Sequence, residues 1–190
     1  MNQKSLILIF FTLMLSVTSC SLGEKSYSEE VFQKVKLNSN KIPNGFKQHF
    51  NEIRGQLKAG SLKIVTQENE VKNVNASEYV QNHYVHMFDK DIEDVKGIKP
   101  DDETAPILKV SLEMFQYVDE IYKTDFPRIA KMIDDGKSDE EINAAIEELD
   151  EIKGPIVDEK FNKVHDLIMP YADKHGVEYK ILDMPKPVNY

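Results

Sequence analysis

The chain predicts an all-α fold, an antiparallel four-helix bundle with kinked helices. Three observations carry that prediction. Apolar residues recur at spacings of three and four through four long segments, which places them on one face of a helix. Gly, Pro and Asp-rich punctuation separates those segments by only a few residues, as short bundle connections require. Strand-like alternation is confined to one short stretch, Ser61 to Thr66. Breaks near Pro43, Pro127 and Pro155 make five or six shorter helices the main alternative.

In chain order, the first element is a targeting segment. Lys4 supplies a positive charge, and the apolar run from Leu6 to Val17 follows it. That run has the length of a signal core and is shorter than the roughly 20 residues a membrane-spanning helix needs. It ends in Val17-Thr18-Ser19-Cys20, and Cys20 is the only cysteine. The tetrapeptide resembles the lipobox of bacterial lipoproteins. The resemblance implies removal of residues 1–19 as a signal peptide and attachment of diacylglycerol and acyl chains such as palmitate to Cys20. It implies a cell-envelope address, and Ser21 in place of Asp favours the outer membrane over the inner. Residues 20–26 then form a lipidated tether, 27–182 the helical domain and 183–190 a Pro-containing tail.

Within the helical domain, Val31 and Val35 open helix A, and Phe46, Phe50, Ile53 and Leu57 continue it. Pro43-Asn44-Gly45 kinks it or divides it in two, and Gly60 ends it. Residues 61–66 read as a strand or a helical turn, and Gln67 to Asn75 as a loop. Helix B runs from Ser77, its N-cap, to Lys96, with Gly97 as a left-handed stop. Its stripe is Val80, Tyr84, Phe88, Ile92 and Val95. Helix C starts at Thr104 as N-cap, tolerates Pro106 in its first turn and is kinked or restarted at Asp125-Phe126-Pro127. Its two apolar rows, Ile107 to Ile121 and Leu108 to Tyr122, mark a central helix. Asp134-Asp135-Gly136 ends it. Ser138 and Glu141 form a capping box for helix D, which breaks at Gly154-Pro155 and resumes with Val157, Phe161, Val164, Ile168 and Tyr171. His175-Gly176 closes it.

Composition excludes several functions. Loss of residues 1–19 removes one basic residue and no acidic one, leaving 23 basic and 33 acidic side chains and a net charge of −10. Nucleic acid selects basic surfaces, so it is not an expected partner. Anionic headgroups would be repelled as well, which leaves the lipid on Cys20 to hold the membrane. A single cysteine permits no disulfide within the chain and no thiolate cluster for metal or haem.

The sharpest candidate for chemistry is His83-x-x-His86-x-x-Asp89, at helical spacing on helix B. His49 and Glu52 of helix A would complete a metal site if the two helices face each other. The competing reading is that His83 and His86 flank the apolar stripe. The nine carboxylates between Asp134 and Glu151 read as a solvated helix face. A calcium loop with Gly136 at its sixth position would begin at Lys131 and end at Ile142, and neither supplies a carboxylate. Phe46, Phe50, Phe115, Tyr122, Phe126 and Phe161 are at core spacing. Tyr117 lies off the main row.

No nucleophile pairs with His165 or His175 in a recognisable arrangement, and there is no phosphate-binding Gly-rich loop. In architecture and in its Lys/Asn/Ile-rich style, the domain loosely resembles small helical surface lipoproteins of Bacteroidetes and spirochaetes. The expected function is therefore a membrane-anchored envelope lipoprotein with a binding domain for an envelope protein or small ligand. Neither catalysis nor a cofactor beyond the lipid is expected. A metal-binding bundle through His83, His86 and His49 or Glu52 is the alternative, and a periplasmic enzyme the least favoured.

Overall fold

Capping chemistry marks where helices begin, and the first described residue already shows it. The computed structural model describes residues 26–180; Cys20, nearly all of the tether and the tail lie outside the described residues. Ser26 Oγ accepts from the Glu29 amide at 3.2 Å, and Ser26 N donates to Glu29 Oε2 at 2.8 Å. This capping box starts α1 (Tyr27–Phe32), which runs into a π-helical segment, Gln33–Leu37. The Pro43-Asn44-Gly45 interruption divides helix A in two: Gly45 sits at φ +86°, and α2 is Lys47–Lys58. Phe46, Phe50 and Ile53 of its expected stripe are buried, and Leu57 is partly buried.

Within residues 61–66, Lys63 to Val65 form a strand. β1 (Lys63–Val65) pairs antiparallel with β2 (Val71–Asn73), with Ile64 opposite Lys72 and Val65 opposite Val71. The loop expected over Gln67 to Asn75 is corrected there. Val71-Lys72-Asn73 has no alternation of its own, and the partner strand supplies the hydrogen bonds that order it.

Helix B is also corrected. It is two helices, α3 (Ala76–His83) and α4 (Asp89–Lys96), separated by turns at Tyr84 to Phe88. Val80, Tyr84, Val85 and Phe88 are all buried, and a straight helix would turn Val85 well away from Val80. The local rewinding brings Val85 N to Val80 O at 3.2 Å and lets all four side chains reach the core. The N-cap is Asn75, whose Oδ1 accepts from Glu78 N at 2.8 Å, so Ser77 lies inside the first turn. Gly97 is at φ −75°, in the right-handed region rather than the expected left-handed one.

α5 (Thr104–Asp134) and α6 (Asp139–Lys174) are long and continuous, through Pro127 in the first and through Pro155 and Pro170 in the second. The expected breaks do not occur. A proline in a helix removes one hydrogen bond, and Phe126, Ile129 and Ala130 are fully buried around Pro127, holding the helix on both sides of it. Thr104 is the first helical residue of α5, and the capping acceptor is Asp101 Oδ1, which takes Glu103 N at 3.0 Å and Thr104 N at 2.7 Å. Gly136 at φ +69° and the Ser138–Glu141 capping box turn α5 into α6 as the sequence predicts.

Helix accounts for 70% of the structure and strand for 4%, so the all-α class stands. α5 and α6 are antiparallel: Glu103 at the start of α5 holds Lys174 and His175 at the end of α6. A ladder of contacts orders the other elements. Lys36 lies over Phe161, Asp150 binds the start of α2, and Arg54 Nη1 donates to Asn143 Oδ1 at 2.7 Å, so α1 and α2 run antiparallel to α6. Asp134 binds the start of α3, Tyr84 stacks on Tyr122, Phe88 packs against Phe115, and Lys99 after α4 meets Thr104 through the Tyr27 hydroxyl, so α3 and α4 run antiparallel to α5. One continuous core fills the interior, each large buried side chain contributing about 1.5–3 kcal/mol. Among the described residues no helix is long and apolar enough to cross a membrane.

Candidate functional site

Two places on the molecule combine polar groups with a shaped apolar surround. The first lies where α2, the turns after α3 and α5 meet. His49 Nδ1 is 3.2 Å from the Tyr84 hydroxyl, and His49 Nε2 is 3.4 Å from the Tyr122 hydroxyl. Phe46, Phe50, Phe88 and Phe126 surround the three rings, with Tyr122 and Phe126 centroids 4.3 Å apart and Phe50 and Phe126 centroids 4.7 Å apart. The rings meet because four-residue steps along α2 and α5 put Phe46, Phe50, Tyr122 and Phe126 on facing stripes.

Burial controls the protons of this group. Desolvation holds the His49 imidazole below its ordinary value, while the nearby Glu52 and Asp150 carboxylates partly offset it. Burial, with Tyr79 and Glu52 adding to it, pushes the Tyr84 hydroxyl up to about 12. Tyr122 is raised further by burial and by Tyr84. A neutral imidazole donates from one nitrogen and accepts at the other, so two protonated phenols satisfy it completely. This geometry suits a polar tie inside an aromatic core, with one phenol donating to the imidazole and the other accepting from it.

The second place is a surface groove of about 300 Å³. Ile42, Pro43 and Asn44 form one wall, between the π-helical segment and α2. Val157, Asp158, Phe161 and Asn162 of α6 form the other. The Pro43-Asn44-Gly45 break borders the groove, and Asp150 of α6 holds the chain just beyond it at Phe46. Lys36 Nζ sits 4.7 Å from the Phe161 ring centre, a cation–π contact at the groove wall, and burial lowers its ammonium. The lining therefore offers apolar walls, two carboxamides and one carboxylate.

The residues expected to bind metal are not brought together. His49 is engaged by the two tyrosines, and Glu52 accepts from Gln48 Nε2 at 3.0 Å. His83 stacks on Tyr79 at 4.1 Å, with Nδ1 3.2 Å from the Tyr79 carbonyl oxygen. His86 Nδ1 is 2.7 Å from Asp89 Oδ2, in a pairing extended by Lys123. The break at Tyr84 to Phe88 separates His83 from His86, so their sequence spacing no longer sets a shared face. Among the described residues no group of three or more His, Cys, Asp or Glu is placed to hold a metal ion.

The sequence reading missed the work of the carboxylates. Asp150 and Asp134, which in sequence read as part of a solvated face, each bind the open amides of a neighbouring helix start. Asp91 is buried and accepts from Lys41 Nζ at 2.8 Å on both oxygens. Asp119 has one oxygen on Lys123 and the other buried without a partner among the described residues. Of these, Asp91 and Asp119 give a sequence signal, since each stands three or four residues from buried apolar residues on both sides, Phe88 and Val95 for the first and Phe115 and Tyr122 for the second. Tyr117 is partly buried, with Lys160 above its ring. Cys20 lies outside the described residues. In comparison with known proteins, no family model, no curated protein and no solved structure matches this chain.

Proposed function

We propose that this chain is a lipid-anchored envelope lipoprotein whose helical domain binds a small ligand or an envelope protein, with no catalysis of its own. The Val17-Thr18-Ser19-Cys20 sequence supports the anchor, and an outer-membrane location follows from Ser21 by the same resemblance. On this reading the six helices make a four-helix bundle: α1 with α2 and α3 with α4 act as two broken members beside α5 and α6. The alternating directions of the contact ladder support that arrangement.

The observation that carries the binding reading is the groove between residues 42–44 and α6. Its volume is at the small end of ligand clefts, and its mix of apolar walls with a few convergent polar groups is what such sites use. A small molecule with an apolar body and hydrogen-bonding groups for Asn44 and Asn162 fits it best.

Two measurements test the reading. Cys20→Ser should abolish acyl labelling and release the protein from the membrane fraction; continued membrane fractionation of that variant contradicts the anchor. In a ligand-observed NMR screen of small amphiphilic molecules, Asn162→Trp should fill the groove and remove the hits seen with the unsubstituted protein. Hits that persist unchanged place binding elsewhere.

A further inference from the structure

We infer that the molecule stands end-on at the bilayer, on the end formed by Ser26, the Lys99–Thr104 turn and the Tyr171–Gly176 helix end, with the β-hairpin displayed at the opposite end. The inference rests on the lipid-anchor reading of Cys20. Five residues, Ser21 to Lys25, separate Cys20 from Ser26. Fully extended, the six steps between those two residues span about 20 Å. Ser26 is thus confined close to the headgroups.

Ser26 is no loose attachment point. The Ser26–Glu29 capping box fixes the start of α1. The Tyr27 hydroxyl donates to the Lys99 carbonyl at 2.8 Å and lies 2.8 Å from Thr104 Oγ1. Glu103 then ties this turn to Lys174 and His175. A pull at Ser26 is therefore passed to α1, α5 and α6 together. The exposed Tyr27 ring is placed at headgroup depth, where tyrosine is favoured.

From that end, α5 runs 31 residues to Asp134, a length of about 45 Å. The Asp134 carboxylate binds Ala76 N and Ser77 N, each at 2.9 Å, and Val74 N donates to Leu62 O at 3.1 Å, so the hairpin belongs to the far end. Val65 and Val71, directly paired and both exposed, are then held well clear of the membrane. A net charge of −10 on the mature chain disfavours laying a flank on anionic headgroups. The opposing arrangement would place the exposed Ile152, Ile156 and Leu167 side of α6 on the lipid.

Lipid on Cys20 leaves no other thiol in the chain, so one introduced cysteine can be labelled specifically. Asp102→Cys at the near end, Lys163→Cys on the α6 flank and Lys137→Cys at the far end are all at exposed positions. Each lipidated full-length variant, labelled with a fluorophore, is placed in phosphatidylethanolamine–phosphatidylglycerol vesicles carrying a headgroup nitroxide quencher. Quenching should be several-fold stronger at position 102 than at 137, with 163 between them. Quenching at 163 equal to or above that at 102 overturns the end-on arrangement, as does equal quenching at all three. Mass spectrometry of the same samples separates the two readings: absence of lipid on Cys20 removes the anchor itself and the orientation with it.

Discussion

Asp134 and Asp150 show how a single carboxylate acquires a structural task. The first amides of a helix lack partners within it, and an acceptor there commonly contributes about 1 kcal/mol. Asp150 Oδ1 takes Phe46 N at 2.6 Å and Oδ2 takes Lys47 N at 3.2 Å, from a helix about 100 residues away in sequence. Asp150→Ala should therefore cost about 1–2 kcal/mol in chemical denaturation. Glu148→Ala, an exposed neighbour in the same acidic run, should stay within about 0.5 kcal/mol. Equal effects of the two would show that Asp150 is only part of a solvated face. The run Glu147-Glu148-Asp150-Glu151 reads alike residue by residue, and nothing local marks the one that meets Phe46. Asp91 follows the same logic: its burial is tolerated because Lys41 meets both of its oxygens.

At the scale of elements, glycine separates two kinds of helix end that look alike in sequence. Gly136 sits at φ +69°, where a side chain is strained. Gly97 sits at φ −75°, and a Cβ there would meet only ordinary contacts at 3.4 and 3.5 Å. Gly136→Ala should destabilise by about 1 kcal/mol. Gly97→Ala should be neutral or stabilise by up to about 1 kcal/mol, because it narrows the unfolded ensemble without strain. Thermal denaturation of the pair decides this; a loss at Gly97 matching that at Gly136 would contradict the observed backbone. The same contrast explains the helix breaks. Pro43-Asn44-Gly45 interrupts a helix because two breakers and a turn residue coincide with no buried stripe beneath them. Pro127 and Pro155 do not, because apolar residues on both sides remain packed. The Tyr84–Phe88 break carries no breaker at all and goes with the burial of Val85 together with Val80.

Across the whole molecule, His49 joins α2, the turns after α3 and the middle of α5 through two phenols, so its proton equilibrium is coupled to the entire fold. The folded state holds this imidazole below its ordinary value, chiefly by desolvation. As pH falls through about 6.5, the unfolded chain takes up the proton first. Stability from this group is thus present at neutral pH and is lost on acidification through that value towards the lower folded one. The urea midpoint should fall between pH 7.5 and 5.5, and His49→Gln should flatten that slope. Identical slopes would mean that another group governs the acid limb.

The helical class, the stripes that bury, the end of α5 at Gly136 and the capping box that opens α6 are all legible in the amino-acid order. These depend on spacings of three and four and on side chains acting on amides within one turn, so they are readable within a short window. The anchor reading at Cys20 is of the same local kind. Which acidic side chains bind distant helix starts, where helix B breaks, and the pairing of His49 with two tyrosines while His83 and His86 turn to separate partners emerge only once the chain is folded. The physical reason is that burial and hydrogen-bond satisfaction are settled by neighbours that the fold supplies from far along the chain. A periodicity says that a face must be covered and leaves open which residue covers it.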